Sequence, residues 1–302
     1  MPVQCNRDGE GGLALYGYFL QTLVNGILLG GIYVTIALGL NVIYGVMRII
    51  NYAQGDFLMI GMYVAYWLFE FFKIVPYAAV VPVAFTLFAI GFILYLYIVS
   101  PILRLPYESQ VLTFVGLIFI LQNLALIIWT ADYRGVNIPL LYHPLTIGGI
   151  YIPLGRLLTL IFSIAITIIV YYFFKNTKFG KFIVASSQDP LGAEMIGIDT
   201  DSVKAIAMGL GIALAGIGGS ILLPIYYVYP YVGTRLGILG FIIITLGGLG
   251  SFIGAIVGSF IIGLVESFIG TLLSSEIAFA SALLIYILIL LVRPTGLMGE
   301  RS

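Results

Sequence analysis

Long stretches without a charged side chain are the feature that most limits how this chain can fold. The first runs from Gly11 to Met47. A helix that crosses the hydrocarbon core of a bilayer needs about 20 mostly apolar residues, so stretches of this kind predict membrane-spanning helices. The others are Phe57–Phe69, Ile74–Leu103, Ser109–Ala131, Leu157–Phe174, Ala205–Thr234, Leu236–Val265 and Ile277–Val292.

The fold class that these stretches predict is all-α: a polytopic transmembrane helical bundle with about eight full spans plus short or broken helices. The stretches are too long for the strands of a transmembrane barrel, and they do not alternate apolar with polar residues. Helices satisfy their backbone hydrogen bonds internally, as lipid requires. The stretch Leu236–Val265 is expected to break near Gly247–Gly250 and to hold two pieces.

Composition excludes several classes of function. Only 9% of the residues are charged, against about 25% in a soluble domain. The 13 basic and 13 acidic residues cancel, so no basic field attracts nucleic acid. Cys5 and His143 are the only cysteine and histidine, which argues against a disulfide framework, a metal site or an H-E-x-x-H centre. No catalytic cluster stands out, and we expect a protein that is not an enzyme.

The chain divides into a polar N-terminal segment, residues 1–12, and one transmembrane domain, residues 13–302. Its longest polar connections are Asp132–Arg156 and Lys175–Lys204. Lysine and arginine concentrate on the cytoplasmic side of membrane proteins. We therefore place the 175–204 loop, with its cluster of lysines, and the C-terminus in the cytoplasm.

Small residues recur at four-residue spacing, as in Gly26 and Gly30, in Gly211, Ala215 and Gly219, and in Gly250, Gly254 and Gly258. Such residues let helix backbones approach closely within a membrane. They predict tight packing within the chain. Alternatively, one of the three sets lines a subunit interface or a translocation path.

The segment Arg48–Asp56 carries polar side chains between two apolar stretches. One interpretation is an ordinary cytoplasmic turn. The other is a break at membrane depth that lines a pathway, since ionisable groups within a membrane face protein or water. Gln122 and Asn123 carry a similar ambiguity between helix contacts and a pathway. The residues assigned to the candidate translocation path are Asn25, Asn41, Asn51, Gln54 and Asp56.

Glu266 is an isolated acid in an apolar stretch. We expect it to lie near the outer headgroup region. The alternative is a buried carboxylate that pairs with a cation or carries a proton.

The 175–204 loop contains a predicted helix of about two turns. Asp189 is a suitable N-cap, Pro190 then occupies the first helical position, and Gly197 can end the helix in a left-handed conformation. Leu191 and Met195 lie four residues apart and share a face. This face suits insertion into a groove of a partner, or contact with the chain's own transmembrane helices.

Several separated motifs resemble one family. Gly180–Asp199 is similar to the cytoplasmic coupling segment of ATP-binding cassette importer permeases of the branched-chain amino acid subfamily, although Val184 stands where a basic residue is common. Ile50–Asp56 resembles the family's Asn-Phe-Ala-His-Gly-Glu signature, with Gln54 for the histidine and Asp56 for the glutamate. The further matches lie within Asn25–Val46, Gly247–Gly258 and Arg293–Gly299, so the resemblance covers nearly the whole chain after Tyr18.

The resemblance implies a permease subunit that passes leucine, isoleucine and valine through a prokaryotic inner membrane. The implied partners are a second homologous permease, two ATP-binding subunits and an extracytoplasmic solute-binding protein. The chain has no G-x-x-x-x-G-K-[ST] phosphate loop, so ATP and magnesium would bind to the partner subunits and no cofactor to this chain. The residues implied to couple with the ATPase are Gly180, Lys181, Asp189, Pro190, Leu191, Gly192, Ala193, Glu194, Met195 and Gly197.

Other functions stay open at this point. Related permeases of this family carry urea or short amides, and Gln54 and Asp56 leave the solute undecided. A proton-coupled secondary transporter would need a buried acid, for which Asp56 and Glu266 are candidates. A channel or scaffold would work without any ATPase. A bulky residue at Gly192 or Ala193 is expected to leave the fold intact but to uncouple transport from ATP hydrolysis.

Overall fold

The computed structural model describes residues 10–147 and 149–299. Of the N-terminal segment 1–12, the first nine residues lie outside the described part, and the last three belong to the first helix. The elements in chain order are α1 (Glu10–Met47), α2 (Gln54–Phe72), α3 (Val80–Leu94), a π-helical turn (Tyr95–Val99), α4 (Ser100–Ile102), α5 (Tyr107–Trp129), α6 (Pro139–Tyr142), β1 (Pro144–Ile147), β2 (Ile150–Pro153), α7 (Leu154–Asn176), α8 (Lys178–Gln188), α9 (Pro190–Met195), α10 (Thr200–Leu222), α11 (Val232–Gly247), α12 (Phe252–Leu272) and α13 (Ser275–Val292).

The transmembrane helical bundle is confirmed. Within the described residues, eight helical segments are long and apolar enough to cross a membrane. They are formed by α1, α2, the continuous run Val80–Ile102, α5, α7, α10, α12 and α13. The shorter α11 ends at Gly247 and α12 begins at Phe252, so the expected break is confirmed. Gly248 and Gly250 have φ of 107° and 84° there, a region that favours glycine.

Helices α1 and α10 form the centre of the bundle. Their most apolar windows are 89% and 83% buried, whereas that of α13 is 11% buried. Helices α7, α11 and α12 pack on α1, and α2 and α3 pack on α10. Since the exposed side chains of α5, α7 and α13 are mostly apolar, these outer helices present surfaces that suit lipid or another membrane subunit.

Glycine contacts bring the central helices together, as the spacing predicts. A methyl group added at Gly263 of α12 would lie 2.4 Å from the backbone nitrogen of Gly30 in α1. One added at Gly219 of α10 would lie 2.2 Å from the carbonyl oxygen of Leu58 in α2. One added at Gly254 would lie 2.2 Å from the carbonyl oxygen of Gly247. These glycines pack within the chain, so helix contact accounts for them without a subunit interface.

The connection between α5 and α7 lies at the end of the bundle opposite to α8 and α9. Its strands β1 and β2 pair antiparallel, with Pro144 opposite Pro153. Arg134 forms an isolated bridge with Val228, which ties this connection to the segment after α10. His143 is exposed, as expected for a loop residue.

Candidate functional site

The predicted short helix in the 175–204 loop is present as α9. The Asp189 carboxylate accepts a hydrogen bond from the Gly192 N–H at 2.9 Å, and Pro190 follows the cap. At the other end, Gly197 has φ of 87° and donates to the Glu194 carbonyl at 3.0 Å. The Ile198 N–H reaches the Ala193 carbonyl at 3.0 Å. This pair of bonds is the Schellman closure that the glycine predicts.

The exposed face of α9 is apolar. Leu191 is 74% exposed, and Met195 and Ile196 are similarly open. Of the two alternatives for this face, contact with the chain's own helices is therefore wrong for Leu191 and Met195. Contiguous exposed apolar side chains are typical of interaction sites.

Small residues on the other side of α9 hold it in place. Ala193 is buried, and a methyl group on Gly192 would lie 2.4 Å from the Asp189 carboxylate. A bulky residue at the buried Ala193 would displace α9 from the helices beneath it, and uncoupling without loss of the fold stays a prediction. Glu194 accepts a hydrogen bond from the Thr200 hydroxyl at 2.6 Å, which fixes α9 to the first turn of α10.

Helix α8 was not expected from the sequence, where its lysines suggested a polar connection. Thr177 caps it by accepting from the Gly180 N–H at 3.0 Å. Gly180 packs tightly, since an added methyl group would lie 2.3 Å from the Phe173 carbonyl oxygen. Ile183 and Ser186 face inward at helical spacing, while Lys181 is exposed. The Thr177 cap and this spacing are the signals that could have identified α8.

A polar groove of about 430 Å³ lies between α9, α10 and α4. Its lining includes Arg104 and Lys204 with three acids. The Tyr95 hydroxyl donates to the Asp201 carboxylate at 3.1 Å, so the π-helical turn contacts the first turn of α10. The hydroxyl and N–H groups of Ser202 lower the pKa of the Asp199 carboxyl below its ordinary value. Asp199 thus stays charged as the N-cap of α10.

The segment 48–56 leads from the exposed Arg48 to residues buried inside the bundle, so it is not an ordinary turn at the surface. Helix α1 ends at Met47, and Arg48 takes a left-handed conformation with φ of 56°. The Gln54 side chain then donates to the Gly211 carbonyl at 2.9 Å. Gly211 lies about half-way along α10, roughly 17 Å from its N-terminal end at about 1.5 Å per residue. Helix α2 therefore begins in the middle of the bundle.

Three of the assigned path residues meet at this break. Asn51, Gln54 and Asp56 are all buried. Asn51 donates to the Gln54 side-chain oxygen at 3.0 Å and accepts from the Ala53 N–H at 3.1 Å. These bonds satisfy the amides and hold the non-helical backbone ahead of α2. Irregular backbone at such depth is tolerated only where protein or a water-filled cavity surrounds it.

Asp56 makes its side-chain contact with α5, which the sequence did not predict. Gln122 donates to the Asp56 carboxylate at 2.9 Å and to the Thr234 hydroxyl at 3.0 Å. Gln122 is buried, whereas its neighbour Asn123 is exposed and bonds only to the Phe119 carbonyl, at 2.7 Å, among the described groups. Gln122 therefore belongs to the polar cluster, and Asn123 is a surface residue of α5.

Asn25 and Asn41 do not join the cluster. The Asn41 side chain accepts from the Gly250 N–H at 2.9 Å and stabilises the break between α11 and α12. Asn25 lies toward the other end of α1, where it is 3.5 Å from the Gln21 amide. Helix contacts account for both side chains.

Glu266 is buried and paired, which supports the alternative of a carboxylate that pairs with a cation; its expected level near the outer headgroup region stays a prediction. Arg235 donates to its carboxylate at 3.1 Å, and the Tyr33 hydroxyl donates to the other oxygen. The Arg235 guanidinium also lies 5.2 Å from the Phe279 ring centroid. Burial of the carboxylate is thus compensated by a cation and a hydroxyl, as a buried acid requires.

The described residues contain no group of three or more His, Cys, Asp or Glu side chains that could hold a metal ion. The exposed apolar helix α9 lies at one end of the bundle, and the polar break at Asn51–Asp56 lies at its middle. In an arrangement of this kind, movement of the surface helix can change the packing of the helices beneath it.

Comparison with known proteins identifies the family of the chain. Residues 22–292 match the family described as the permease component of branched-chain amino acid transport systems. The high-affinity branched-chain amino acid transport system permease protein LivH of Salmonella typhimurium is 31% identical, over 94% of this chain and 96% of that protein. BraD of Pseudomonas aeruginosa, of the same description, is 27% identical with the same coverage. A probable LivH of Methanocaldococcus jannaschii is 30% identical over 92% and 91%.

No solved structure shows significant similarity to the chain. The family match spans nearly all of the transmembrane helices and includes both the break at 48–56 and the capped helix α9. The chain is therefore a multi-pass membrane protein that belongs to the family of branched-chain amino acid transport permeases.

Proposed function

We propose that this chain is the membrane-spanning permease subunit of an ATP-binding cassette importer for leucine, isoleucine and valine. The observation that carries the proposal is helix α9, which is capped at both ends and exposes Leu191, Met195 and Ile196. An apolar helix face of this kind fits a groove on an ATP-binding subunit. Relatives described as branched-chain amino acid permeases support the choice of solute.

The partners in this proposal are two ATP-binding subunits, a second homologous permease and an extracytoplasmic solute-binding protein. ATP and magnesium bind to the ATP-binding subunits, because this chain lacks the phosphate loop. The second permease would pack against the exposed apolar helices. The chain itself then binds no cofactor and catalyses no reaction.

The proposed location is a prokaryotic inner membrane with α8, α9 and the C-terminus in the cytoplasm. Arg104 and Lys204 lie together at the end of the bundle that holds α9, and α8, which contacts α9, adds Lys178 and Lys181. This clustering follows the positive-inside tendency. The end that holds Arg134 and β1–β2 then faces the solute-binding protein.

In the proposed mechanism, closure of the ATP-binding subunits moves α9. The Glu194–Thr200 hydrogen bond at 2.6 Å passes this movement to α10. Helix α10 holds the Gln54 side chain through Gly211 and therefore positions the start of α2. Movement of α9 would thus alter the break at Asn51–Asp56, which lines the path of the solute.

A matched pair of charge substitutions tests the coupling role of α9. Met195→Glu places a carboxylate on the exposed apolar face, and Gln188→Glu places one on the exposed end of α8. Loss of one buried apolar contact at a partner groove corresponds to roughly tenfold or more in affinity. Met195→Glu is expected to lose the ATP-binding subunits in affinity purification and to abolish leucine uptake, while Gln188→Glu retains both. Normal uptake by Met195→Glu would refute the coupling role.

The solute is tested in proteoliposomes that contain the complete importer. Labelled leucine, isoleucine and valine are expected to accumulate only with ATP and the solute-binding protein. ATP-dependent accumulation of urea or a short amide in their place would overturn the choice of solute. Accumulation driven by a proton gradient without ATP would overturn the importer mechanism.

A further inference from the structure

An apolar groove of about 420 Å³ lies on the surface of the bundle between α7 and α12. Both helices pack on α1, and the groove is the gap between them. The side chains that line it include Ile168, Tyr171 and Tyr172 of α7 and Phe252, Ile253 and Ile256 of α12. A volume of this size is within the range of about 300–1,000 Å³ that is typical of small-molecule sites. The groove is therefore large enough to hold part of a ligand.

The groove reaches the end of the bundle that holds α8. Phe252 is the first residue of α12, and Tyr171 lies in the last two turns of α7, which ends at Asn176. The rings of Tyr171 and Phe252 have centroids 6.0 Å apart at this end. Tyrosine side chains are enriched where a transmembrane helix meets the headgroups. The groove thus extends from the headgroup level into the apolar part of the membrane.

A lysine lies at the headgroup end of the groove. The Lys175 ammonium group donates to the Tyr171 hydroxyl at 3.4 Å and lies 5.5 Å from the centroid of the same ring. Because Tyr171 lines the groove, the cation lies beside its opening. No ion pair among the described residues involves Lys175. The groove therefore combines apolar walls with a cation at one end.

Helix α8 continues this positive surface. Lys178 and Lys181 are exposed and lie three residues apart, so they share one face. Neither belongs to an ion pair in the part of the chain that the structure describes. Phe179 and Phe182 beside them are exposed as well, whereas Ile183 is buried against the bundle. Lysines next to exposed aromatic side chains are typical of helices that lie in the headgroup region of a membrane.

The acids near these lysines are engaged in other contacts. In the 175–204 loop, Asp189 and Asp199 cap α9 and α10. Glu194 accepts a hydrogen bond from the first turn of α10, and Asp201 forms an ion pair with a lysine of α10. Helix α8 and the first turn of α12 contain no acidic residue. The lysines beside the groove therefore lack a counter-charge among the described residues, and an anion from outside the chain would supply it.

We infer that an anionic phospholipid binds at this groove, with one acyl chain between α7 and α12 and its phosphate at Lys175. A phospholipid fits both parts of the site, because it joins an apolar chain to an anionic phosphate. Lys178 and Lys181 attract the headgroups beside it. In the proposed orientation this end meets the cytoplasmic leaflet, and that placement alone rests on the proposed function. Lipid binding needs neither ATP nor a solute, so the site is additional to the permease role.

Lipid retention by the purified complex tests the headgroup contact. The permease is purified with its partner subunits in mild detergent, mixed with equal amounts of phosphatidylglycerol and phosphatidylcholine, and measured by native mass spectrometry. We expect the anionic phosphatidylglycerol to be retained in preference. Lys175→Gln should lower this preference roughly fivefold, as expected for one lysine at an anionic surface. Equal retention of the two lipids by the wild type would overturn the inference.

Lys73→Gln is the matched control for Lys175→Gln. Lys73 is exposed at the end of α2, and its ammonium group lies 5.8 Å from the Phe69 ring centroid. It therefore has a contact like that of Lys175 with Tyr171, but away from the groove. We expect Lys73→Gln to keep the wild-type preference for phosphatidylglycerol. Equal preferences in the two variants would overturn the assignment of the phosphate to Lys175.

A photoreactive acyl chain tests the groove itself. Phosphatidylglycerol with a diazirine in one acyl chain should label α7 and α12 at the residues that line the groove. Ile253→Trp fills the groove and should remove this labelling, while Val81→Trp on α3 should keep it. Both side chains are 61% exposed, so neither substitution disturbs the packed centre of the bundle. Labelling of α7 that Ile253→Trp leaves unchanged would overturn the acyl-chain site.

The same variants distinguish a lipid from a protein in the groove. A second permease seated there would be released from the purified complex by Ile253→Trp and kept by Val81→Trp. We expect Ile253→Trp to keep its partner subunits and to lose only the lipid. Release of a subunit by Ile253→Trp, with retention of phosphatidylglycerol unchanged, would assign the groove to a subunit interface and overturn the inference.

Discussion

Removal of the N-cap of α9 should destabilise this helix and lower leucine uptake with it. Asp189→Ala deletes the acceptor of the 2.9 Å bond from the Gly192 N–H. Loss of an N-cap costs about 1 kcal/mol, which lowers the ratio of folded to unfolded helix about fivefold. Helix α9 has six residues, Pro190–Met195, and so short a helix has little stability of its own. The whole of this cost therefore falls on α9.

Hydrogen exchange in the nucleotide-free importer measures the loss. The Ala193, Gly197 and Ile198 amides donate to backbone carbonyls at 3.0 Å in this helix and its closure. In Asp189→Ala they should exchange about fivefold faster, while amides in the centre of α10 keep their rates. Leucine uptake should fall with the protection of α9. Asp189→Asn, which keeps an acceptor at the cap, serves as the control.

Two results would contradict this prediction. If Asp189→Ala exchanges faster at α9 but takes up leucine at the wild-type rate, then an ordered α9 is not needed for coupling. If its exchange is unchanged, the cap does not stabilise the helix as the hydrogen bond indicates.

Three further outcomes follow from the packing and charges of the structure. Gly263→Val should lower the melting temperature in detergent by several degrees, because overpacking costs about 1–3 kcal/mol and the new Cβ would lie 2.4 Å from the backbone of α1. Gly116→Val should leave the melting temperature unchanged, because the space around Gly116 is open. Arg235→Gln should also lower the melting temperature, by leaving the buried Glu266 carboxylate without a cation, whereas Arg235→Gln combined with Glu266→Gln should recover part of the loss. The pKa of the Asp199 carboxyl is below its ordinary value of 3.8. The N-cap that it gives α10 should therefore be kept above that pH and lost as pH falls through the pKa of the folded state. Hydrogen exchange at the first turn of α10 should show this loss in the wild type and not in Asp199→Asn.

Local signals in the sequence predicted much of the structure. The charge-free stretches gave the eight spans because a bilayer sets the length of a helix. Asp189, Pro190 and Gly197 predicted α9, since caps depend on residues within a few positions of each other. The glycine spacing predicted close helix contacts for the same reason. Helix α8 was not predicted, because its lysines make the segment polar and the helical spacing of the inward-facing Gly180, Ile183 and Ser186 was not recognised.

Contacts between distant residues could not be predicted in this way. The bond from Gln122 to Asp56 depends on the register of α5 against α2, and the pair of Arg235 with Glu266 on that of α11 against α12. Neither register follows from helical periodicity within one segment. For the same reason, Asn41 was grouped with the path residues although it bonds Gly250.

Uptake of labelled leucine by proteoliposomes that hold the complete importer tests the central claim most directly. The account predicts ATP-dependent accumulation by the wild type, and its loss in Met195→Glu at unchanged permease content. Accumulation that needs neither ATP nor the exposed face of α9 would contradict the account.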